Sequence, residues 1–303
     1  MKQRKTVIAL GFFDGVHIGH GALFEKTRER AREKGARPAV LTFDNHPDNF
    51  VKHERVELIS SATDRRYIIR RFYGIEDVFI LHFNTATMRM RWYDFLERII
   101  EAYDAVHFVV GHDFRFGYKG EGTAEILRRY CAGHGLGCDI IPPVTREGIV
   151  VSSTYIRSLL LDGDMERANA FLGHPYLITD IIRTGFRIGR TIEAPTINML
   201  LGESVLVPKH GVYATKVLLD GQVRTAVTNI GMRPTFNGDR VTVETNIIDF
   251  DGDLYGQSAC VEFYDFIRPE RRFDSAEALQ EQIRRDSAAV MQRVKRIDKS
   301  NSL

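Results

Sequence analysis

The stretch that decides the fold reads Gly11-Phe12-Phe13-Asp14-Gly15-Val16-His17-Ile18-Gly19-His20, directly after the apolar run Val7-Ile8-Ala9-Leu10. A short all-apolar run closed by glycine suits a strand buried on both faces, and the charged, roughly helical segment 21–34 completes a strand, loop and helix. Two histidines three residues apart then fall at a helix start. Free backbone N–H groups and the positive end of the helix dipole favour anions there, so imidazoles pointing the same way suit a phosphate whose charge grows during reaction. The same spacing also fits a metal pair or mere helix-end decoration. Gly11, Gly15 and Gly19 strip side chains from the loop, which suits close approach of a ligand to the backbone. The loop lacks the Gly-Lys-Ser/Thr of a Walker motif and the Gly-x-Gly-x-x-Gly of dinucleotide folds.

Working outward, apolar runs at 7–10, 39–43, 78–81, 106–110 and 138–141 alternate with amphipathic segments at 21–34, 63–73, 91–103 and 123–134. That alternation predicts strand-helix-strand units and a mostly parallel, Rossmann-like sheet covered on both sides, with ligands beyond the carboxyl ends of the strands. The candidate loops fall at those ends. Asp44-Asn45-His46-Pro47 follows the second strand, and Gly111-His112-Asp113-Phe114-Arg115-Phe116-Gly117 follows the fourth. Each alone reads equally as a turn, but together they predict a shared pocket in which Phe114 and Phe116 wall a planar ring. Ser152-Ser153-Thr154 opens another helix with Arg157 one turn in, so that hydroxyls, amides and guanidinium could grip a triphosphate on one face. Capping alone would explain one hydroxyl but not the arginine.

A short helix from 162–164 to 171, closed by Gly173 and Pro175, marks a domain boundary. Beyond it the periodicity changes. Segments 178–182, 212–218, 224–229, 241–248 and 259–264 read as strands separated by Gly/Asp turns, the pattern of an antiparallel β-barrel or sandwich. A final helix follows, with Asp274 and Glu277 as its expected capping box and Leu279, Ile283, Val290 and Val294 on its packing face. The charged remainder of that helix reads as solvated.

At 303 residues the chain is long enough for two cores. Hydrophobic content of 44%, charged content of 27% and a formal charge of +2 describe an ordinary globular protein and point to neither nucleic acid nor membrane as partner. Cys131, Cys138 and Cys260 show no metal-site repeat and read as free thiols of a reduced, cytoplasmic protein. No signal peptide or membrane span is expected from the sequence.

The first motif resembles that of the bacterial bifunctional riboflavin kinase/FMN adenylyltransferases, the FAD synthetases. Val151-Ser152-Ser153-Thr154-Tyr155-Ile156-Arg157 is similar to that family's second signature, and Gly189-Arg190-Thr191-Ile192-Glu193-Ala194-Pro195-Thr196-Ile197-Asn198 to its kinase signature. Further resemblances lie at 209–214, 229–236, 243–246, 249–256 and 266–270. The resemblance implies a nucleotidyltransferase domain over 1–173 that adenylylates FMN to FAD. It also implies a riboflavin kinase-like β-barrel domain over 174–303 that phosphorylates riboflavin to FMN, with ATP as co-substrate and Mg²⁺ as metal.

By the same resemblance His17, His20 and Arg157 serve adenylyl transfer. Gly11, Phe12, Asp14, Gly15, Asn45, His46, Pro47, Asp113, Phe114, Phe116, Ser153 and Thr154 would bind nucleotide or flavin. In the kinase half Gly189, Arg190 and Arg268 would bind, Thr196 and Asn198 would hold the metal, and Glu244 would be the base. The alternation along 241–248 puts Glu244 off the apolar face. Glu193, Ile197, Asp180 and Asn246 depart from the family pattern, as do Gly120 and Thr123 at the edge of a first-domain loop. These leave two alternatives open: an adenylyltransferase with a weak or silent kinase, and a non-catalytic flavin-binding protein.

Overall fold

A computed structural model describes residues 5–46, 49, 56–182, 196–199, 201–202, 204–219, 221–235, 238–250, 252, 254 and 256–300. The chain divides into two compact units, Met1–Ser153 and Thr154–Leu303.

The first unit is built on five parallel strands, β1 Thr6–Leu10, β2 Arg37–Phe43, β3 Asp77–Leu81, β4 Ala105–Gly111 and β7 Gly137–Ile141, in the order β3-β2-β1-β4-β7. The expected runs became strands because their residues face apolar layers on both sides; all five residues of β1 are buried. Helices α1 Ile18–Lys34, α2 Ala62–Tyr73, α3 Thr85–Met88, α4 Trp92–Tyr103 and α5 Ala124–Gly133 connect them. A core of Ile8, Leu10, Leu41, Leu96, Phe108 and Leu127 fills one face of the sheet. The strand order reverses direction at β1, flanked by β2 and β4. Such a switch point leaves a crevice beyond the carboxyl ends of the strands. The loops after β1 and β4 leave the sheet there; the second contains the short strands β5 Arg115–Phe116 and β6 Gly122–Thr123. The hairpin strands β8 Thr145–Arg146 and β9 Ile149–Val150 follow β7.

The second unit opens with α6 Ser153–Asp162, whose first residue belongs to the first unit, and α7 Met165–Leu172, N-capped by Asp164 and closed by Gly173 at φ 81°. Its strands are β10 Tyr176–Ile181, β11 Thr196–Met199, β12 Gly211–Leu219, β13 Gln222–Thr235, β14 Gly238–Ile247 and β15 Ser258–Arg268. They pair antiparallel as a half-barrel in the order β10-β15-β12-β13-β14-β11. Thr215, Thr228 and Thr245 link hydroxyls across three strands at 2.8 and 2.9 Å on the inner face. On the outer face Val212, Ala214 and Val227 pack under Val290 and Val294 of α8, Ala276–Ser300.

Two expectations for α8 are corrected. Its first turn is capped by Ser275, whose Oγ accepts the Ala278 N–H, and not by Asp274. Its charged positions are not all solvated: Asp286 is buried, with Gln282, in line with Val290 and Val294.

Candidate functional site

The loop after β1 is held in a strained shape. Phe13 and Val16 adopt φ of 58° and 49°, with Gly15 at 71° between them. A left-handed non-glycine residue, above all a β-branched one, costs about 1–3 kcal/mol and persists only where the surroundings over-determine it. Hydrogen-bonding side chains supply those surroundings. The Phe12 carbonyl accepts from Thr42 Oγ1 at 2.6 Å and from Arg65 Nη1 at 2.7 Å. The buried Asp14 carboxylate accepts the Ile59 and Ser60 N–H groups at 3.1 and 3.2 Å, while Ser60 Oγ accepts the Gly15 N–H at 2.9 Å. Ser153 Oγ donates to the Asp14 carbonyl at 3.0 Å.

This clamp sets the start of α1 at Ile18, three residues before the expected start, so His17 is the N-cap and His20 lies in the first turn. His17 Nδ1 accepts the His20 backbone N–H at 3.3 Å. An accepting Nδ1 is unprotonated, which puts the proton of the neutral ring on Nε2 as a donor. The two imidazoles stack at 3.5 Å between centroids and 17° between planes. Gly19 permits this, since a Cβ there would lie 3.0 Å from His17 Nδ1 and Cε1. Burial, then the His17 ring, then Arg65 hold His20 well below its usual pKa of 6.5. At neutral pH the result is an uncharged imidazole at a helix N-terminus, where free amides favour an anion. The metal-pair reading loses support: His17 Nδ1 is used by the cap, and among the described residues no third His, Cys, Asp or Glu completes a metal cluster.

The neighbouring loops contribute unequally. Asn45 donates to Asp44, and His46 meets the Phe12 ring edge-on at 4.7 Å. Burial pushes the Asp44 carboxyl up, but hydrogen bonds from His82 and the Phe83 N–H outweigh it and leave the pKa lowered. Pro47 lies outside the described residues. Asp113 is exposed. Phe114 and Phe116 stack at 5.3 Å, yet Phe116 is only 7% exposed and packs with Phe95 in the core, so Phe114 is the one left half-buried beside the loop. Thr154 is exposed and Arg157 half-buried in the first turns of α6, and both belong to the second unit.

In the second unit, strand register assembles a polar row on the outer face. Asn198 of β11 stands opposite Glu244 of β14, and Glu244 opposite Asn229 of β13. Thr242 Oγ1 donates to Glu244 Oε1 at 3.3 Å. Asn229 Nδ2 donates to Glu270 Oε1 at 3.2 Å, and that carboxylate lies over Gly231, where a Cβ would come within 1.9 Å of it. Alternation along β14 is as expected: Val243, Thr245 and Ile247 are buried and Glu244 is not. Thr196 stands opposite Asn246, though its side chain, like Gly189, Arg190 and Glu193, lies outside the described residues. Arg268 is already engaged, because its guanidinium binds Asp286 through Nε at 2.9 Å and Nη2 at 2.7 Å.

Residues 1–155 match the FAD synthetase family and residues 172–294 match the riboflavin kinase family. The chain is 37% identical over 290 residues to the bifunctional riboflavin kinase/FMN adenylyltransferase of Bacillus subtilis, covering 94% of this chain and 91% of that one. The Escherichia coli protein of the same name is 34% identical with the same coverage. The crystal structure of a macrolide-efflux protein from Streptococcus pneumoniae superposes with a TM-score of 0.81 at 32% identity, covering 96% of this chain and 95% of that one. The chain belongs to the bifunctional riboflavin kinase/FMN adenylyltransferase family.

Within this family member, sequence reasoning missed the clamp around the first motif. Ser61-x-x-Asp64 is legible as a capping box, and both of its hydrogen bonds are present. Ser60 and Arg65 on either side carry no such signature. Arg65 stands beside Arg66 in a charged helix, and only the folded chain reveals that it is buried.

Proposed function

We propose that the chain catalyses two ATP-dependent transfers, phosphorylation of riboflavin to FMN by residues 174–303 and adenylylation of FMN to FAD with release of pyrophosphate by residues 1–173. The observation that carries the reading is the match of both halves, in order, to the two domains of one family. In adenylyl transfer an FMN phosphate oxygen attacks the α-phosphorus of ATP, and pyrophosphate leaves. No protein nucleophile is needed. His17 and His20, with the first amides of α1, stabilise charge on the phosphates, while Ser153, Thr154 and Arg157 hold the leaving pyrophosphate. The donor set supports this: an Nε2–H on a neutral imidazole beside free helix amides is built to meet an anion.

In riboflavin phosphorylation the ribityl 5′-hydroxyl attacks the γ-phosphorus of ATP, and Glu244 takes its proton. The Asn198 side-chain amide oxygen, opposite Glu244 across the strands, is a hard donor that suits Mg²⁺. Asn198 and Thr196 would hold the ion, which would offset charge on the transferred phosphoryl group when bound. A chain that matches both domains favours neither a silent kinase nor a non-catalytic binding protein. Free thiols at Cys131, Cys138 and Cys260 support placing the reactions in the cytoplasm. No described helix is long and apolar enough to cross a membrane. Supplying riboflavin or FMN separately with Mg-ATP and resolving the flavins by chromatography tests the proposal. FMN from the first and FAD from the second are expected; FAD from FMN without any FMN from riboflavin would refute the bifunctional reading.

A further inference from the structure

Arg65 is among the largest fully buried side chains, at 0% exposure, in a unit whose other buried positions are mostly apolar. A buried guanidinium is unfavourable unless opposite charges and hydrogen bonds offset its desolvation. It lies in the first turn of α2 with its carbon-centred charge 4.3 Å from the centroid of the Phe12 ring. Nη1 donates to the Phe12 carbonyl at 2.7 Å and contacts Thr42 Oγ1 at 3.2 Å. Nε and Nη2 have no hydrogen-bond partner among the described residues. Its geometry is therefore spent almost entirely on one peptide group, that of Phe12, directly before the left-handed Phe13. Rotation of that peptide would move Phe13, whose ring packs edge-on to His20 at 5.2 Å.

We propose that Arg65 is a positioning residue of the adenylyl-transfer site, fixing the Phe12 carbonyl and thereby the left-handed turn that presents His17 and His20. The proposal rests on the reading of the histidine loop as that site. His20 is faced by the His17 ring from the loop and by Arg65 from α2, and Arg65 in turn by Asp14 from the loop, Asp64 from α2 and Asp44 just after β2; Tyr73 of α2 reaches the Val16 carbonyl. The three carboxylates offset part of the Arg65 charge without contacting it in the hydrogen-bond network above. Arg65 pushed down to about 10 by burial still carries its charge at neutral pH. It therefore disfavours protonation of His20 as well as shaping the loop.

Four variants in the full chain separate the parts: Arg65→Met, Arg65→Lys, Thr42→Val and His17→Ala, each assayed for FAD formation from FMN and for riboflavin phosphorylation. Arg65→Met is expected to lower kcat for FAD formation about 10–100-fold, with KM for FMN and ATP little changed and riboflavin phosphorylation within twofold. The acid limb of its kcat profile moves to higher pH, since His20 has lost a neighbouring cation. Arg65→Lys restores the limb but not kcat, because an ammonium lacks the planar fork. Thr42→Val removes the second donor to Phe12 and lowers kcat without moving the limb. If Arg65→Met does not fold, the lysine and Thr42 variants decide alone. A kcat within twofold of the parent, an unmoved acid limb in Arg65→Met, or an equal loss in both reactions overturns the proposal. His17→Ala with undiminished FAD formation would instead overturn the reading of the site.

Discussion

Replacing Asp14 by Asn tests the clamp directly. The carboxylate is 4% exposed, and its two oxygens meet two different backbone donors, Oδ2 the Ile59 N–H and Oδ1 the Ser60 N–H. Asparagine has one acceptor oxygen, so its NH₂ must face one of those donors. A lost hydrogen bond to a charged acceptor is worth about 1.5–3 kcal/mol, and the stranded N–H adds to it, giving roughly 2–4 kcal/mol in all. For a unit of this size each kcal/mol lowers the melting temperature by about 2–4 °C, so a drop of roughly 5–15 °C is expected. Trp92 is the only tryptophan of the chain and packs edge-on to Phe116 and Tyr130 in this unit. Its fluorescence in a urea titration therefore reports the right half of the molecule. A midpoint shift that, multiplied by an unchanged slope, amounts to less than about 1 kcal/mol would refute the claim that both oxygens are needed.

Glu244→Gln should lower riboflavin phosphorylation about 10²–10⁴-fold and leave FAD formation from FMN intact, as flavin chromatography of the two reactions will show. Asp286→Ala strands the Arg268 guanidinium, whose partner carboxylate is 6% exposed, and should destabilise the second unit by about 3–5 kcal/mol in calorimetry. For His20 the folded state favours the neutral ring, so stability from its burial is present above 6.5 and is lost as pH falls below that value towards the lowered one. FAD formation should accordingly persist through 6.5 on acidification. An NMR titration of the His20 ring that gave a midpoint at or above 6.5 would contradict it.

The parallel sheet was legible because its central strand is an uninterrupted apolar run from Val7 to Leu10 and the others are mostly apolar, broken only by single polar residues such as His107 in β4 and Asp139 in β7. Glu244 was legible too, since strand alternation is strictly two and the apolar partners Val243, Thr245 and Ile247 fix the parity. What stayed hidden depended on contacts distant in sequence. The segment 196–199 is too short to declare itself as a strand and is one only through pairing with β14. β13 runs through Gly231 and Pro234, two residues that read as breakers, because β14 stays paired with it as far as Thr235, beyond the point at Ile230 where its pairing with β12 ends. Asp286 falls at helical spacing on the stripe of Ile283, Val290 and Val294, yet a carboxylate there reads as solvated until its partners Arg268, 18 residues earlier, and Gln282 are seen.

The left-handed residues of the first motif show why the site could not be read from the loop alone. Glycine at positions 13 and 16 would remove the strain, yet it would also remove the Phe13 ring, which packs edge-on against Phe24 at 5.0 Å and His20 at 5.2 Å, and the fully buried Val16 side chain. Burying a large apolar side chain is worth about 1.5–3 kcal/mol, comparable with the strain it offsets. Glycine would in addition widen the range of unfolded conformations the loop must give up on folding. The chain thus holds its imidazole pair by packing rather than by local preference. A ligand meeting that pair meets a surface whose shape was set by β2 and α2.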